Sequence, residues 1–139
     1  MNTSVVTGLD TTNLTSLADI WTGMTRLDLF LQRWRIRKTL PFISAGSRIL
    51  DIGSVDGVMF RSIPNLGKGS LGIDPTIKSA ICGEGYRLIP GFFPADMPAE
   101  EMFDVVTMLA VLEHFPTAAH QSLVNGCAKH LRDGGRLII

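Results

Sequence analysis

The residues of this chain best suited to chemistry fall in three short runs. The first is Asp51-Ile52-Gly53-Ser54-Val55-Asp56-Gly57. An apolar run that ends on an acid and turns through glycines into a helix lets backbone come close to a ligand. It also offers helix-end amides to a carboxylate or phosphate. The second is Asp74, which ends the run Ser70-Leu71-Gly72-Ile73. An acid so placed can accept both hydroxyls of a ribose, or it can cap the turn that begins at Pro75. The third is Phe103-Asp104-Val105-Val106 leading into Leu109-Ala110-Val111-Leu112-Glu113-His114-Phe115-Pro116. Glu113 and His114 are the side chains of this run that can move a proton.

The elements needed to position these runs can be read from periodicity. Ser47–Ile52, Ser70–Asp74, Tyr86–Ile89, Phe103–Leu109 and Arg136–Ile139 are short apolar runs that fit buried strands. Between them, Val58, Met59, Phe60 and Ile63 mark a short inward-facing helix closed by Pro64. Leu123, Cys127 and Leu131 mark a helix over 117–132, for which Gly134-Gly135 would supply the left-handed cap. Residues 76–83 read as a short helix, and the prolines from Pro90 to Pro98 as a loop. Strands alternating with helices predict an α/β fold with a doubly wound, mainly parallel sheet. In the order 3-2-1-4-5, strands one and four are neighbours with crossovers on opposite faces. Gly53 and Leu109–His114 then flank one crevice.

Ahead of the sheet, residues 1–15 read as a flexible arm, and residues 16–139 as a single domain. Ser16-Leu17-Ala18-Asp19 has the form of a capping box. From it a long helix is expected to run to Pro41, with Leu17, Ile20, Trp21, Met24, Leu27, Leu31 and Trp34 as its apolar stripe. Such a stripe is ordinarily core. If the helix lies over the crevice, Trp21 and Trp34 become part of a pocket instead. Arg33, Arg35, Arg37 and Lys38 crowd its last turns, where the helix dipole favours cations.

Composition sets the outer bounds. The chain has 139 residues, 45% of them hydrophobic, and 13 basic residues balance 13 acidic ones. This is a globular composition with no overall field to attract nucleic acid or anionic lipid. No apolar stretch approaches the ~18 residues of a membrane span, and the N-terminus lacks the pattern of a secretory signal. Cys82 and Cys127 have no metal-ligand spacing, so no metal is expected. Two reduced, structural cysteines fit a cytoplasmic protein. His120 and His130 read as surface residues. A last strand ending in Leu137-Ile138-Ile139 leaves a sheet edge that needs cover. Either a longer protein supplies that cover, or a second copy does in a homodimer.

RILDIGSVDG, LGIDP, FDVVTMLAVLEHFP and LRDGGRLII, in this order and spacing, resemble the successive motifs of class I S-adenosylmethionine-dependent methyltransferases. The similarity is greatest to the type 11/12 small-molecule group and covers residues 47–139. It implies a Rossmann-like fold whose strands six and seven are missing from this sequence. It also implies S-adenosylmethionine as cofactor, S-adenosylhomocysteine as product and a small-molecule acceptor. Asp51, Gly53, Ser54 and Gly57 would hold the methionine end of the cofactor, and Asp74 the ribose. Ile73 or Pro75 would pack on the adenine, and Leu109 and Ala110 would contact the methionine amino group. Two positions depart from the family pattern. Val55 replaces the middle glycine of the loop, which therefore has to turn differently. Where the family often has an acid after strand three, this chain has Gly91-Phe92-Phe93, with Asp96 farther on, so backbone near Phe92 or Phe93 would have to meet the adenine amino group.

The expected function is methyl transfer to a small molecule, with Glu113 and His114 as candidate bases. A protein that kept the fold for binding or assembly and lost turnover is the alternative. A dinucleotide site fits worse, because the glycine spacing is wrong for Gly-x-Gly-x-x-Gly and the third run has no role in it.

Overall fold

The computed structural model describes residues 25–139. The chain divides into two compact units, Met1–Arg33 and Trp34–Ile139. The expected arm over residues 1–15, the capping box at Ser16 and Trp21 all lie outside the described residues. Helix α1 (Arg26–Thr39) has its own start signal. Asp28 Oδ2 accepts from the Thr25 amide at 2.9 Å and from its hydroxyl at 2.7 Å. Thr25 Oγ1 accepts in turn from the Asp28 amide at 3.2 Å. This reciprocal cap begins a helix at Arg26, so the single long helix expected from Ser16 is interrupted there. The stripe also differs from expectation. In the second unit α1 buries Ile36 and Thr39, while Trp34 is 50% exposed.

The second unit is built on a six-stranded sheet. Its strands are β1 (Ile49–Ile52), β2 (Ser70–Asp74), β3 (Ile81–Cys82), β4 (Tyr86–Pro90), β5 (Phe103–Thr107) and β6 (Leu131–Ile138). They lie in the order β3-β4-β2-β1-β5-β6. The five longer strands are parallel and follow the expected 3-2-1-4-5 order. The addition is β3, which pairs antiparallel with the outer edge of β4. Residues 76–83 are therefore not a helix. Gly83 and Gly85 close a hairpin, with the Gly83 amide donating to Tyr86 O and Gly85 at φ +79°.

Both faces of the sheet are covered, which is why β1 is buried throughout. Ile49 and Val105 pack with Met59, Phe60 and Ile63 around helix α2 (Val58–Arg61). Leu50, Ile52, Val106 and Met108 pack on the other side with Leu123 and Cys127 of helix α3 (His120–His130). Each such side chain contributes about 1.5–3 kcal/mol by leaving water. Burial pushes the Cys127 thiol up to about 11, in keeping with a structural cysteine.

The end of α3 differs from expectation. The helix stops at His130, and Leu131 is already extended at φ −88°, ψ 134°. Gly134-Gly135 do not cap it. They lie where the register slips between Phe103↔Leu131 and Val105↔Arg136, with Gly134 at φ +76° inside the bulge. His130 is also not at the surface. It is 2% exposed and donates from Nδ1 to Glu101 O at 2.7 Å.

A polar network ties down the N-terminal ends of the strands. The Arg48 amide donates to Asp104 Oδ2 at 2.7 Å. Its guanidinium donates to Gly69 O at 2.7 Å and Met102 O at 3.1 Å, and pairs with Glu101. Glu101 also accepts from Arg87 at 2.6 Å, and Asp104 from Arg132 at 2.9 Å. Burial raises the Asp104 pKa, but the Arg48 amide and the Arg132 guanidinium outweigh it and hold the carboxyl below its ordinary value.

Candidate functional site

The direction of winding reverses between β1 and β5. The chain leaves β1 through α2 on one face and leaves β5 through α3 on the other. The C-terminal ends of these two strands therefore flank the switch-point crevice of an open α/β sheet.

Asp51 lies at this point, 7% exposed, in register with Thr107 of β5. Burial pushes its pKa up to about 6. The Thr107 and Ser54 hydroxyls favour the ionised form, while Asp56 and Asp74 oppose it by charge. Thr107 Oγ1 donates to Asp51 Oδ1 at 2.7 Å. The Ser54 hydroxyl is near enough to favour the carboxylate, yet it is 3% exposed and forms no hydrogen bond of good geometry. A buried hydroxyl without a partner costs about 1–3 kcal/mol. It stands over Gly72 of β2, where a Cβ would come within 2.7 Å of Ser54 Oγ.

The loop after β1 turns on Gly53 (φ +82°) and Gly57 (φ +69°), so Val55 takes no positive φ. The neighbours leave no room for a side chain at Gly53 and little at Gly57. A Cβ on Gly53 would lie 2.4 Å from Val111 Cγ2, and one on Gly57 would lie 3.1 Å from the Tyr86 ring. The helix end is not an open anion site, because Asp56 Oδ1 accepts from the Val58 amide at 3.0 Å. Opposite the loop the chain leaves β5 through Leu109 and Ala110. Ala110 sits at φ +55°, a strained position for a residue with a Cβ.

Asp74, at the tip of β2, is 7% exposed. Its Oδ1 accepts from the Thr76 amide at 2.7 Å and hydroxyl at 2.5 Å. The turn-capping role is thus real, and both of these bonds go to the one oxygen, Oδ1. Ile73 is sealed in the core at 1% exposure, while Pro75 is exposed. Phe92 is exposed, but its amide is taken by Asp96 Oδ2 at 2.7 Å. The Phe93 ring is buried in the core.

Glu113 and His114 ride on a single 3-10 turn, Leu112–His114, and both are exposed. Neither is brought into contact with Asp51, Ser54 or Asp74. Beside Leu109 and Ala110 lies a cavity of about 340 Å³. Trp34, Phe42, Ile138 and Ile139 supply its apolar walls, with Arg35 and Lys38 also lining it. Three contributors were not evident from the sequence. Thr107 is a polar residue at a strand end, visible as a partner of Asp51 once the strand order is assumed. Val111 and the cavity depend on how distant segments meet.

Comparison with known proteins places the chain. A family model described as a methyltransferase domain matches residues 50–139. The chain is 32% identical over 104 residues to a ubiquinone biosynthesis O-methyltransferase of Pseudomonas aeruginosa (strain LESB58). That match covers 68% of this chain and 44% of the relative. A protein of the same name from Burkholderia vietnamiensis is 34% identical over 100 residues, covering 66% and 42%. The chain thus spans under half the length of these relatives. Among solved structures, a TehB-like SAM-dependent methyltransferase from Corynebacterium glutamicum superposes with a TM-score of 0.57 at 19% identity, over 80% of this chain and 70% of that one. This last likeness shows the fold.

Proposed function

This chain belongs to the class I S-adenosylmethionine-dependent methyltransferases, and we propose that it transfers a methyl group to an oxygen of a small molecule. The observation that carries this reading is the pairing of the buried, partnerless Ser54 hydroxyl with Asp51, whose carboxyl burial pushes up to about 6. A folded domain keeps such unmatched polarity at a crevice when a ligand completes it. These residues suit a cofactor with a cationic, hydrogen-bonding amino-acid end. Asp51, Gly53, Ser54 and Gly57, with Leu109 and Ala110 across the crevice, would hold that end. Asp74 would take the ribose hydroxyls through its Oδ2. Pro75 would pack on the adenine rather than Ile73, which has no surface to offer. Because the Phe92 amide is occupied, the backbone at Phe93 is the better candidate for the adenine amino group.

When bound, the cofactor supplies an activated sulfonium methyl group. What remains for the protein is to orient the acceptor and exclude water, which can supply about 7–11 kcal/mol of the barrier. The cavity beside Leu109 and Ala110 is the natural place for the acceptor, at the lower end of the ~300–1,000 Å³ typical of small-molecule sites. Its lining holds no carboxylate or imidazole side chain, so Glu113 and His114 on the following turn are the proposed bases. The oxygen acceptor is suggested by the relatives' names, and cytoplasmic residence by two cysteines that form no disulfide. Among the described residues no helix is long and apolar enough to cross a membrane. A homodimer through β6, the sheet edge of the described residues, completes the proposal; light scattering at high concentration would test it.

The test is incubation of the chain with S-adenosylmethionine and a panel of hydroxylated aromatics, reading S-adenosylhomocysteine by mass spectrometry. Acceptor-dependent product supports the reading. Cofactor binding with no transfer to any acceptor would point to the binding-protein alternative.

A further inference from the structure

The cavity beside Leu109 and Ala110 carries charge opposite to that of the crevice. Asp51, Asp56 and Asp74 make the crevice acidic. The cavity is lined by Arg35 and Lys38 and by no acidic side chain among the described residues. Neither cation is paired with a carboxylate among those residues. Lys38 Nζ lies 5.7 Å from the centroid of the Trp34 ring, so the ammonium and the indole form one surface. The helix dipole accounts for cations in the last turn of α1. It does not account for their lining an apolar cavity with Trp34, Phe42, Leu109 and Ile138. The chain as a whole is neutral, with 13 basic and 13 acidic residues, so this is a local arrangement and not a general basic surface.

We infer that the acceptor is a small aromatic molecule bearing an anionic group, its ring against Trp34 and Phe42 and its anion held by Arg35 and Lys38. This rests on the reading of the crevice as the cofactor site and adds the acceptor's class to it. A volume of about 340 Å³ suits one substituted ring. The apolar walls disfavour a sugar or other densely hydroxylated acceptor, and the two cations disfavour an amine. Trp34 and Phe42 are specificity residues in this account, while Arg35 and Lys38 select charge.

The test uses a probe pair that differs in charge and little in shape, 4-hydroxyphenylacetate and its neutral amide. Binding to the full chain is read by Trp34 fluorescence in a Trp21→Phe background, with and without saturating S-adenosylhomocysteine. The acid should bind about tenfold more tightly than the amide, a contrast of the size charge-assisted contacts give. An Arg35→Gln/Lys38→Gln variant should reduce that contrast to less than about twofold without changing S-adenosylhomocysteine affinity, because these two side chains line the cavity and not the crevice of Asp51, Ser54 and Asp74. Lys38→Arg should keep most of it. Equal binding of acid and amide, binding of neither, or a contrast that survives the double variant would overturn the inference. Loss of S-adenosylhomocysteine binding in the wild type would instead sink the cofactor reading, and the probe pair read without that ligand would still judge the charge preference.

Discussion

At the N-terminal ends of the strands, Arg48 meets Asp104, Gly69, Met102 and Glu101, Arg87 meets Glu101 and Arg132 meets Asp104. At the C-terminal ends of the same strands, the Ser54 hydroxyl lacks a partner, burial lifts the Asp51 pKa to about 6 and Ala110 holds a strained φ of +55°. One sheet therefore has an end at which charged side chains are paired with one another and an end at which Ser54 stays unpaired and Asp51 is buried without a cation among the described residues. Under the proposed function this second end is where the fold gives up stability for a ligand, and the two ends can be separated by mutation.

The largest effect is expected at Gly53. Gly53→Ala places a Cβ at φ +82° and against Val111, so a loss of about 3 kcal/mol in stability is expected by chemical denaturation, together with loss of cofactor binding. Pairing it with Val111→Ala should recover part of the stability. No recovery would mean that backbone strain alone makes the glycine necessary. Next is Arg48→Ala at the matched end, which should cost about 2–3 kcal/mol and leave cofactor affinity unchanged in the folded protein. A large affinity loss there would break the division between the ends.

Asp51→Asn should act in the opposite direction. Burial lifts the folded pKa of Asp51 to about 6, above the ordinary carboxyl value of 3.8. The folded state therefore binds the proton more tightly, and this group's contribution to stability falls as pH rises from 3.8 to about 6. Above that window the asparagine variant should be more stable than wild type by about 1–2 kcal/mol, and it should lose the pH dependence between those values. It should also bind S-adenosylmethionine more weakly. A destabilised variant at pH 7.5 would show that the ionised Asp51 is matched after all. The smallest effect is expected at Ser54→Ala. Its stability should stay within about 0.5 kcal/mol of wild type, because relief of a poorly satisfied buried hydroxyl is offset by loss of its support for the Asp51 carboxylate, while affinity should fall several-fold in a calorimetric titration.

Much of this division was legible in the sequence, for identifiable reasons. The alternation of strands and helices fixed the parallel order, and Asp51, Gly53 and Asp74 stand at strand ends as their spacing implied. What escaped depends on long-range meeting of segments. His130 has the sequence context of a surface residue, yet Glu101 O, 29 residues away, supplies a buried acceptor. Residues 76–83 have a weak helical pattern, but the hairpin at Gly83 and Gly85 extends the sheet instead. Gly134-Gly135 look like a helix cap because the sequence cannot show that β6 slips register against β5. The cavity at Trp34 requires Phe42, Leu109 and Ile138 to converge, which no local pattern encodes. Asp74 was legible as a turn cap, the role in which Thr76 holds one of its carboxylate oxygens.

Asp74 also offers the most direct test of the claim that the unmatched end is built for the cofactor. Titration calorimetry of S-adenosylhomocysteine into the wild-type chain should show saturable one-to-one binding. Asp74→Ala should weaken that binding about a hundredfold, or about 3 kcal/mol, because the acid proposed to hold the ribose is lost. Absence of heat in the wild type, or an affinity unchanged by Asp74→Ala, would contradict the account.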